Sequence, residues 1–451
     1  MMNITIIAYA MLIVFMYVIM TKKMSPLTTL VFIPLVFSVI AVLAGVAISE
    51  RGNPVSIAEL GKFAIDGIRT TSVTGIMLLF AILYFALMLN AGLFDPVTKS
   101  MIRFAKGDPA RILVATAIVA AAVSLNGDGT TTTMICCAAF IPIYKKLGLK
   151  MMNLGVLLIL QNTIMNLLPW GGPTARALSV LHIEENILPY IWPGMLAAAL
   201  YMIGVGYYLG RQERKRLGIT TLTNEAIDQL TQVSDPEVLE LRRPKNIWIN
   251  SIMTIVLLGL LVKDFFPPVF LFMTGTVLAL LINYPNLKEQ SRRIADNAGD
   301  AVQVVILVFA AGLFMGLFTG TGMATAITKS LATIIPASWG GYWGLVVAAL
   351  SAPGTFFLSN DAFYYGVLPV LAEAGYSYGF TPMQMAVASL MGQAFHLLSP
   401  LVAFIYLLLK LTDLDMGQWQ RESAKWAIGI FVIFVAILIL TGAMPYHIPQ
   451  G

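Results

Sequence analysis

Apolar stretches as long as a bilayer crossing recur along the chain and predict spanning helices. A helix needs about 17–25 apolar residues to cross a bilayer. Stretches of about that length cover residues 3–20, 26–48, 73–94, 191–209 and 424–441. Together with the weaker apolar segments between them, these stretches lead us to expect ten spanning helices, with both chain termini outside the cell.

Two further apolar segments carry a polar break in the middle, which predicts hairpins rather than full crossings. Residues 108–147 are long enough for two half-crossings, have basic flanks at both ends, and are interrupted at Asp128 between two glycines. Residues 338–375 turn in the same way at Asn360 and Asp361. Irregular backbone at membrane depth is tolerated only where it is buried in protein or lines a water-filled cavity. We therefore expect two re-entrant hairpins whose tips meet at a central site.

The second half of the chain repeats the first. VTKSM at 97–101 matches ITKSL at 327–331, and SLNGD at 124–128 matches LSND at 358–361. A polar glutamine precedes a Pro-containing helix break in each half, with Gln161 before 166–175 and Gln393 before 397–400. Near-constant spacing between matched motifs indicates a duplication, which is typical of membrane bundles of secondary transporters.

Basic residues are distributed unequally between the halves, which predicts that the halves are inverted. The flanks of the first hairpin carry Lys99, Arg103, Lys106, Arg111, Lys145, Lys146 and Lys150, and the matching flanks of the second keep only Lys329. Basic loops favour the cytoplasmic side. We therefore predict an all-α polytopic membrane protein of two inverted-topology repeats, residues 1–210 and 246–451, each with a re-entrant hairpin and a broken helix. A basic cytoplasmic linker, residues 211–245, joins them.

Composition narrows the class of protein. The chain is 58% hydrophobic and 11% charged, with a mean hydropathy of +0.82, which indicates a multi-pass protein, expected in the cytoplasmic (inner) membrane. The net charge of +5 is explained by basic cytoplasmic loops rather than by a nucleic-acid surface. The sequence contains neither an HExxH nor a GxSxG motif, so we do not expect an enzyme.

Polar residues at the four predicted breaks are the candidate ligand contacts. A carboxylate at membrane depth usually marks an ion or substrate path, and glycines let the backbone approach a ligand closely. The candidates are Asn126, Gly127, Asp128, Gly129, Thr130, Thr131, Gln161, Arg176, Asn360, Asp361 and Gln393. His396 follows Gln393 by one helical turn and is the candidate carrier of a coupled proton.

Structural roles compete with these assignments. Asp128 and Asp361 are also suited to capping the helices that follow them, and Asn126 and Asn360 to forming turns. The two glutamines can bond neighbouring helices. Arg176 can bind an anionic substrate or balance Asp128, and His396 can be a hydrogen-bonded core histidine.

These motifs resemble the citrate–metal:proton symporter family, within the wider ion-transporter superfamily. The resemblance is carried by NGDGTTT at 126–132, PWGGPTARA at 169–177, LSNDAFYYGVLPVL at 358–371 and GQAFHLLSPLVAFIYLL at 392–408. It runs nearly from end to end of the chain. It implies uptake of citrate complexed with a divalent metal and driven by protons, and a homodimer whose hairpin domain moves against a scaffold.

The resemblance leads us to expect a co-transported divalent metal, of the Mg or Ca class, and no permanently bound cofactor. Asp128 and Asp361 are the candidate metal contacts because their carboxylates suit such a cation. The resemblance also leads us to expect an acidic residue where this chain has Asn126, which leaves the need for a metal open. Two alternatives remain: a transporter of another di- or tricarboxylate without metal, and a cation/proton exchanger.

Overall fold

The computed structural model describes residues 3–21, 23–49, 52–220, 223, 236–334 and 337–449. Within these residues the regular elements are helices, together with one isolated β-bridge between Ile48 and Pro54. The middle of the predicted linker lies outside the described residues, as does Lys22 after the first helix.

Among the described residues, nine helices form the first half of the chain. They are α1 (Ile4–Met20), α2 (Pro26–Leu43), α3 (Ile57–Ala91), α4 (Asp95–Ala105), α5 (Pro109–Ser124), α6 (Gly129–Leu147), α7 (Met151–Met165), α8 (Gly172–Val180) and α9 (Leu188–Leu217). The short α10 (Pro236–Leu241) belongs to the linker.

The described helices of the second half resemble those of the first in their order of lengths. Its elements are a 3₁₀ turn (Pro244–Asn246), α11 (Ile247–Val262), α12 (Pro268–Asn283), α13 (Leu287–Gly320), α14 (Met323–Ile334), α15 (Ala337–Gly340), α16 (Trp343–Phe357), a π-helical turn (Ala362–Val367), α17 (Leu368–Ser377), α18 (Pro382–Leu390), α19 (Gln393–His396), α20 (Ala403–Thr412) and α21 (Met416–Leu440). The 35-residue α3 and the 34-residue α13 occupy equivalent places.

Helices α3 and α13, which the predicted repeat would match, pack against each other in opposite directions. Gly75 lies beside Phe309, whereas Phe63 lies beside Gly320, so residue numbers rise along one helix as they fall along the other. The two backbones approach so closely that a Cβ on Gly67 would collide with the backbone of Gly312. Small residues permit such close crossings of membrane helices.

Helices α9 and α21, the last helices of the two predicted repeats, are also antiparallel. Gly194 near the start of α9 contacts Phe434 near the end of α21, and Tyr208 contacts Trp426 at the opposite end. Inverted-topology repeats require this antiparallel relation between matched helices. The orientation of the halves across a bilayer remains a prediction.

Spanning helices begin and end somewhat differently from the apolar stretches. In the described part of the chain, six helices have the length and hydropathy to cross a membrane, and several shorter apolar helices accompany them. Helix α3 begins at Ile57 rather than at residue 73, because Ser56 and Glu59 form a capping box that starts a polar first section. Helix α2 ends at Leu43 rather than at residue 48.

Helix α5, a four-residue turn and α6 form a helical hairpin. Asp108 accepts a hydrogen bond from the N–H of Ala110 at 3.0 Å, and Pro109 follows at the first helical position. Asp108 also forms an ion pair with Arg214 from the end of α9, which ties the base of the hairpin to that helix. Gly148, in the left-handed region at φ +69°, ends α6.

The helices break at both predicted places. Helix α7 ends at Met165 and α8 begins at Gly172, while α19 ends at His396 and α20 begins at Ala403. A further irregularity separates α18 from α19 at 391–392. The helix that follows each break contacts the hairpin of the other half. Helix α8 packs on the π-helical turn, and α20 packs on α6.

Candidate functional site

The tip of the first hairpin is a tightly bonded turn. The side-chain oxygen of Asn126 accepts the N–H of Asp128 at 2.5 Å, and its amide nitrogen donates to the carbonyl of Val123 at 2.7 Å. The carboxylate of Asp128 accepts the N–H of Thr131 at 2.6 Å and is otherwise exposed, like the neighbouring Thr130. Asn126 therefore shapes the turn and Asp128 caps α6, with its charge facing open space.

Two glycines let aromatic side chains approach this tip. Gly127 has φ +80°, and a Cβ there would lie 3.0 Å from the Trp170 ring. The indole of Trp170 donates to the carbonyl of Leu125 at 2.8 Å, so the first helix break holds the tip from one side. A Cβ at Gly129 would collide with the ring of Phe404 from α20.

An ion pair joins the two halves of the chain at the second tip. Arg176 in α8 donates through Nε to Oδ1 of Asp361 at 2.7 Å, and through another guanidinium nitrogen to the carbonyl of Gly172 at 2.9 Å. The side chains of Arg176 and Asp361 are 19% and 18% exposed, so the pair is mostly buried but still accessible to a small ligand. Arg176 thus balances Asp361 rather than Asp128.

An amide chain lies beside this pair. The Gln393 amide donates to the side-chain oxygen of Asn360 at 2.9 Å and lies 3.0 Å from the hydroxyl of Tyr364. Gln393 is buried, whereas Asn360 is half-buried at the tip. The second tip is therefore linked by hydrogen bonds to α19, the helix before the second break.

His396 is fixed by its backbone contact. Its Nδ1 lies 2.7 Å from the carbonyl of Thr355 in α16, and the Thr355 hydroxyl donates to the carbonyl of Gly392. A carbonyl only accepts, so Nδ1 carries hydrogen and Nε2 is the nitrogen that gains or loses a proton. His396 is buried and within electrostatic range of Arg176 and Asp361.

Asp361 lines an open cavity of about 470 Å³. This volume lies within the range of small-molecule sites, about 300–1,000 Å³. The remaining lining residues come from the second hairpin, from the α1–α2 turn and from the second helix break: Ile19, Met24, Ser25, Pro26, Phe357, Leu358, Ser359 and Leu401. A small ligand in this cavity can reach Asp361.

The glutamine of the first half has different contacts from its counterpart. Gln161 is fully buried and donates to the carbonyl of Ala199 in α9 at 3.2 Å, so its amide bonds a neighbouring helix. Its Oε1 has no hydrogen-bond partner among the described residues. The same is true of polar side-chain atoms of Ser124, Thr133, Asn162 and Thr163, on the helices around the first tip.

The structure thus gathers Arg176, Asn360, Asp361, Gln393 and His396 around the second tip, and Asn126 to Thr131 around the first. Sequence reasoning missed Trp170, Tyr364 and Thr355. Trp170 lies within the PWGGPTARA motif, at a helix break that the sequence predicts, so its position could have indicated a role at the site. The roles of Tyr364 and Thr355 depend on tertiary contacts alone. In the described part of the chain, no three His, Cys, Asp or Glu residues cluster as metal ligands.

Similarity to solved structures extends to the whole fold. MtrF of Neisseria gonorrhoeae, described among a class of antimetabolite efflux pumps, matches with a TM-score of 0.63 at 14% identity, over 92% of this chain and 95% of that one. The YdaH transporter of Alcanivorax borkumensis matches with a TM-score of 0.65 at 13% identity, over 94% of this chain and all of that one.

Sequence relatives share far more identity. A protein of Bacillus subtilis named citrate transporter is 43% identical over 98% of this chain and 99% of its own length. Another, named Mg(2+)/citrate complex secondary transporter, is 39% identical over 97% and 98%. The family model described as citrate transporter matches residues 3–392. The chain is therefore a multi-pass membrane transporter, not an enzyme, and it belongs to the citrate transporter family.

Proposed function

We propose that the protein imports citrate as a complex with a divalent metal, together with protons, across the cytoplasmic membrane. The observation that carries this proposal is the partly exposed ion pair between Arg176 and Asp361, because Asp361 also lines an open cavity. One member of the pair attracts anions and the other attracts cations. A ligand that offers both charges can engage both members at once.

A metal–citrate complex has this double character. A citrate carboxylate matches the planar guanidinium of Arg176, and the bound metal offers a cation to Asp361. A bare citrate trianion would take Arg176 and leave the carboxylate of Asp361 facing further negative charge. A simple cation would meet Asp361 and leave Arg176 unpaired. The ion pair therefore favours the complex over either component alone.

Hydrogen-bonding groups at both tips supply the remaining contacts in this proposal. Asn360 and Gln393 offer amides beside the ion pair, and Thr130 and Thr131 offer hydroxyls at the first tip. Asp128 faces open space and provides a second carboxylate for the metal. Mg²⁺ and Ca²⁺ bind oxygen ligands, and Mg²⁺ usually takes only one or two protein carboxylates. The relative named Mg(2+)/citrate complex secondary transporter supports this cargo.

The proposal also includes the conformational change that moves the cargo across the membrane. Two inverted repeats, each with a re-entrant hairpin, would alternate access to the cavity while the rest of a homodimer acts as scaffold. The antiparallel packing of α3 with α13 and of α9 with α21 supports the inversion. A coupled proton on His396 completes the scheme.

Uptake of labelled citrate into proteoliposomes tests the proposal. With an inward pH gradient, we expect saturating Mg²⁺ to raise the initial rate severalfold over a metal-free medium with chelator. Labelled metal and citrate should enter in equal amounts. Equal rates with and without metal would establish a metal-free carboxylate carrier, and metal entry without citrate would establish a cation exchanger.

Replacing Asp128 by Asn tests the charge at the first tip separately from its capping role. Asparagine caps helices as well as aspartate does, so the variant keeps the bond to the Thr131 N–H. We expect metal–citrate uptake to fall by about tenfold or more, because a charged partner contributes about 1.5–3 kcal/mol. Initial rates at equal protein density measure this. Unchanged uptake would reduce Asp128 to a helix cap.

A further inference from the structure

A second cavity, remote from the ion pair, lies at the end of the bundle where α9 finishes and α21 begins. It has a volume of about 430 Å³ and opens to the surface. Ten residues from three places in the chain line it: Lys150, Met152, Asn153, Tyr208, Leu209, Gln212, Gln418, Glu422, Lys425 and Trp426. None of them contributes to the candidate site at either hairpin tip.

The lining favours an anion. Lys150 and Lys425 bring two ammonium groups, and Gln212, Gln418 and Asn153 bring amide donors. Among the described lining residues Glu422 is the single carboxylate, and it already forms an ion pair with Lys425. An anionic group that enters the cavity therefore meets an excess of donors and positive charge.

The aromatic rings beside this cavity are typical of a membrane–water boundary. Tyr208 and Trp426 contact each other edge to face at 5.9 Å between ring centroids, and Tyr208 is 53% exposed. Lys425 lies over the Trp426 ring. Tyrosine and tryptophan are enriched at both interfaces of a bilayer, and lysines extend from there toward the head groups.

An exposed apolar surface continues from the cavity along the same two helices. Ile428 and Val432 follow Lys425 by three and seven residues, so they share its helix face, and they are 55% and 57% exposed. Leu196 and Leu200 on α9 are exposed to a similar degree. A ligand with a charged head and long apolar chains fits both parts, whereas a soluble anion would use only the cavity.

We propose that this cavity binds the head group of an anionic phospholipid whose acyl chains lie along the exposed apolar faces of α9 and α21. Basic pockets between membrane helices recognise such head groups through charge. A zwitterionic choline head group would bring a cation close to Lys150 and Lys425 and should bind weakly. This site is independent of the proposed citrate transport.

Titration of the purified full-length protein in neutral detergent tests the site. Phosphatidylglycerol and phosphatidylcholine with identical acyl chains are compared by native mass spectrometry. We expect phosphatidylglycerol to bind preferentially and the Lys150→Gln/Lys425→Gln variant to bind it about 30-fold more weakly, because each lysine contributes about fivefold at a membrane surface. The Lys150→Arg/Lys425→Arg variant should keep the affinity.

Matched variants and ligands decide the outcome. Lys145→Gln/Lys146→Gln removes the same charge from exposed positions outside the cavity and should change the affinity by less than about threefold. An equal loss in this control would show that the lysines act only through overall charge and would overturn the site. Equal binding of phosphatidylcholine, or displacement of the lipid by millimolar inorganic phosphate, would also overturn it.

Discussion

Replacing Asp361 by Asn is expected to reduce metal–citrate uptake by about tenfold to a hundredfold, the effect of losing a charged hydrogen-bond partner. The substitution keeps the shape of the side chain but leaves the shielded guanidinium of Arg176 without its counter-charge. Arg176 should then hold a citrate carboxylate while nothing at this position attracts the metal. Stimulation of uptake by Mg²⁺ should therefore fall sharply, with Asp128 as the remaining carboxylate for the metal, as measured by rates with and without metal.

The Arg176→Gln/Asp361→Asn double variant separates a transport role from simple pairing. If the two residues only stabilise the fold, the neutral pair should recover most of the uptake that Asp361→Asn loses. If they bind the cargo, the double variant should recover no uptake although it is inserted and stable. Asp66→Asn removes an exposed carboxylate that pairs with Arg69 and is the matched control, with uptake near that of the parent. Recovery by the double variant would refute the binding role.

The ends of the first hairpin were predictable because their signals are local. Asp108 followed by Pro109 starts α5, Asp128 caps α6, and Gly148 ends it, and each signal acts within a few residues. The apolar pattern therefore locates the hairpin at 108–147. Helix α3 was misjudged because a hydropathy pattern weakens where one face of a helix is polar, although Ser56 and Glu59 still signal its start.

Contacts at the site were only partly predictable. The matched motifs identify Asn126 and Asn360, yet Asn126 bonds within its own turn while Asn360 bonds Gln393. The partners Arg176 and Asp361 are 185 residues apart, and their meeting depends on the packing of α8 against the π-helical turn. Sequence repetition predicts equivalent positions, but the surroundings of each position differ once the helices pack.

Replacing His396 by Gln is expected to abolish citrate accumulation driven by a pH gradient and to leave counterflow of labelled citrate largely intact. Nε2 of His396 is the titrating nitrogen, because Nδ1 faces the Thr355 carbonyl. The proposed cargo would neutralise both Arg176, which repels the imidazolium, and Asp361, which attracts it. Because a citrate trianion with one divalent metal keeps a net negative charge, cargo and proton still favour each other's binding. Glutamine can donate to the same carbonyl but cannot titrate.

The size of the effect follows from the driving force. One coupled proton supports about tenfold accumulation for each unit of pH difference, since one unit corresponds to about 1.4 kcal/mol. The accumulation ratio of the variant should therefore fall to about one at any gradient, while exchange, which moves no net proton, continues. His447→Gln changes an exposed histidine near the chain end and should accumulate like the parent protein. Accumulation by His396→Gln would place the coupled proton on Asp128, on Asp361 or on citrate itself.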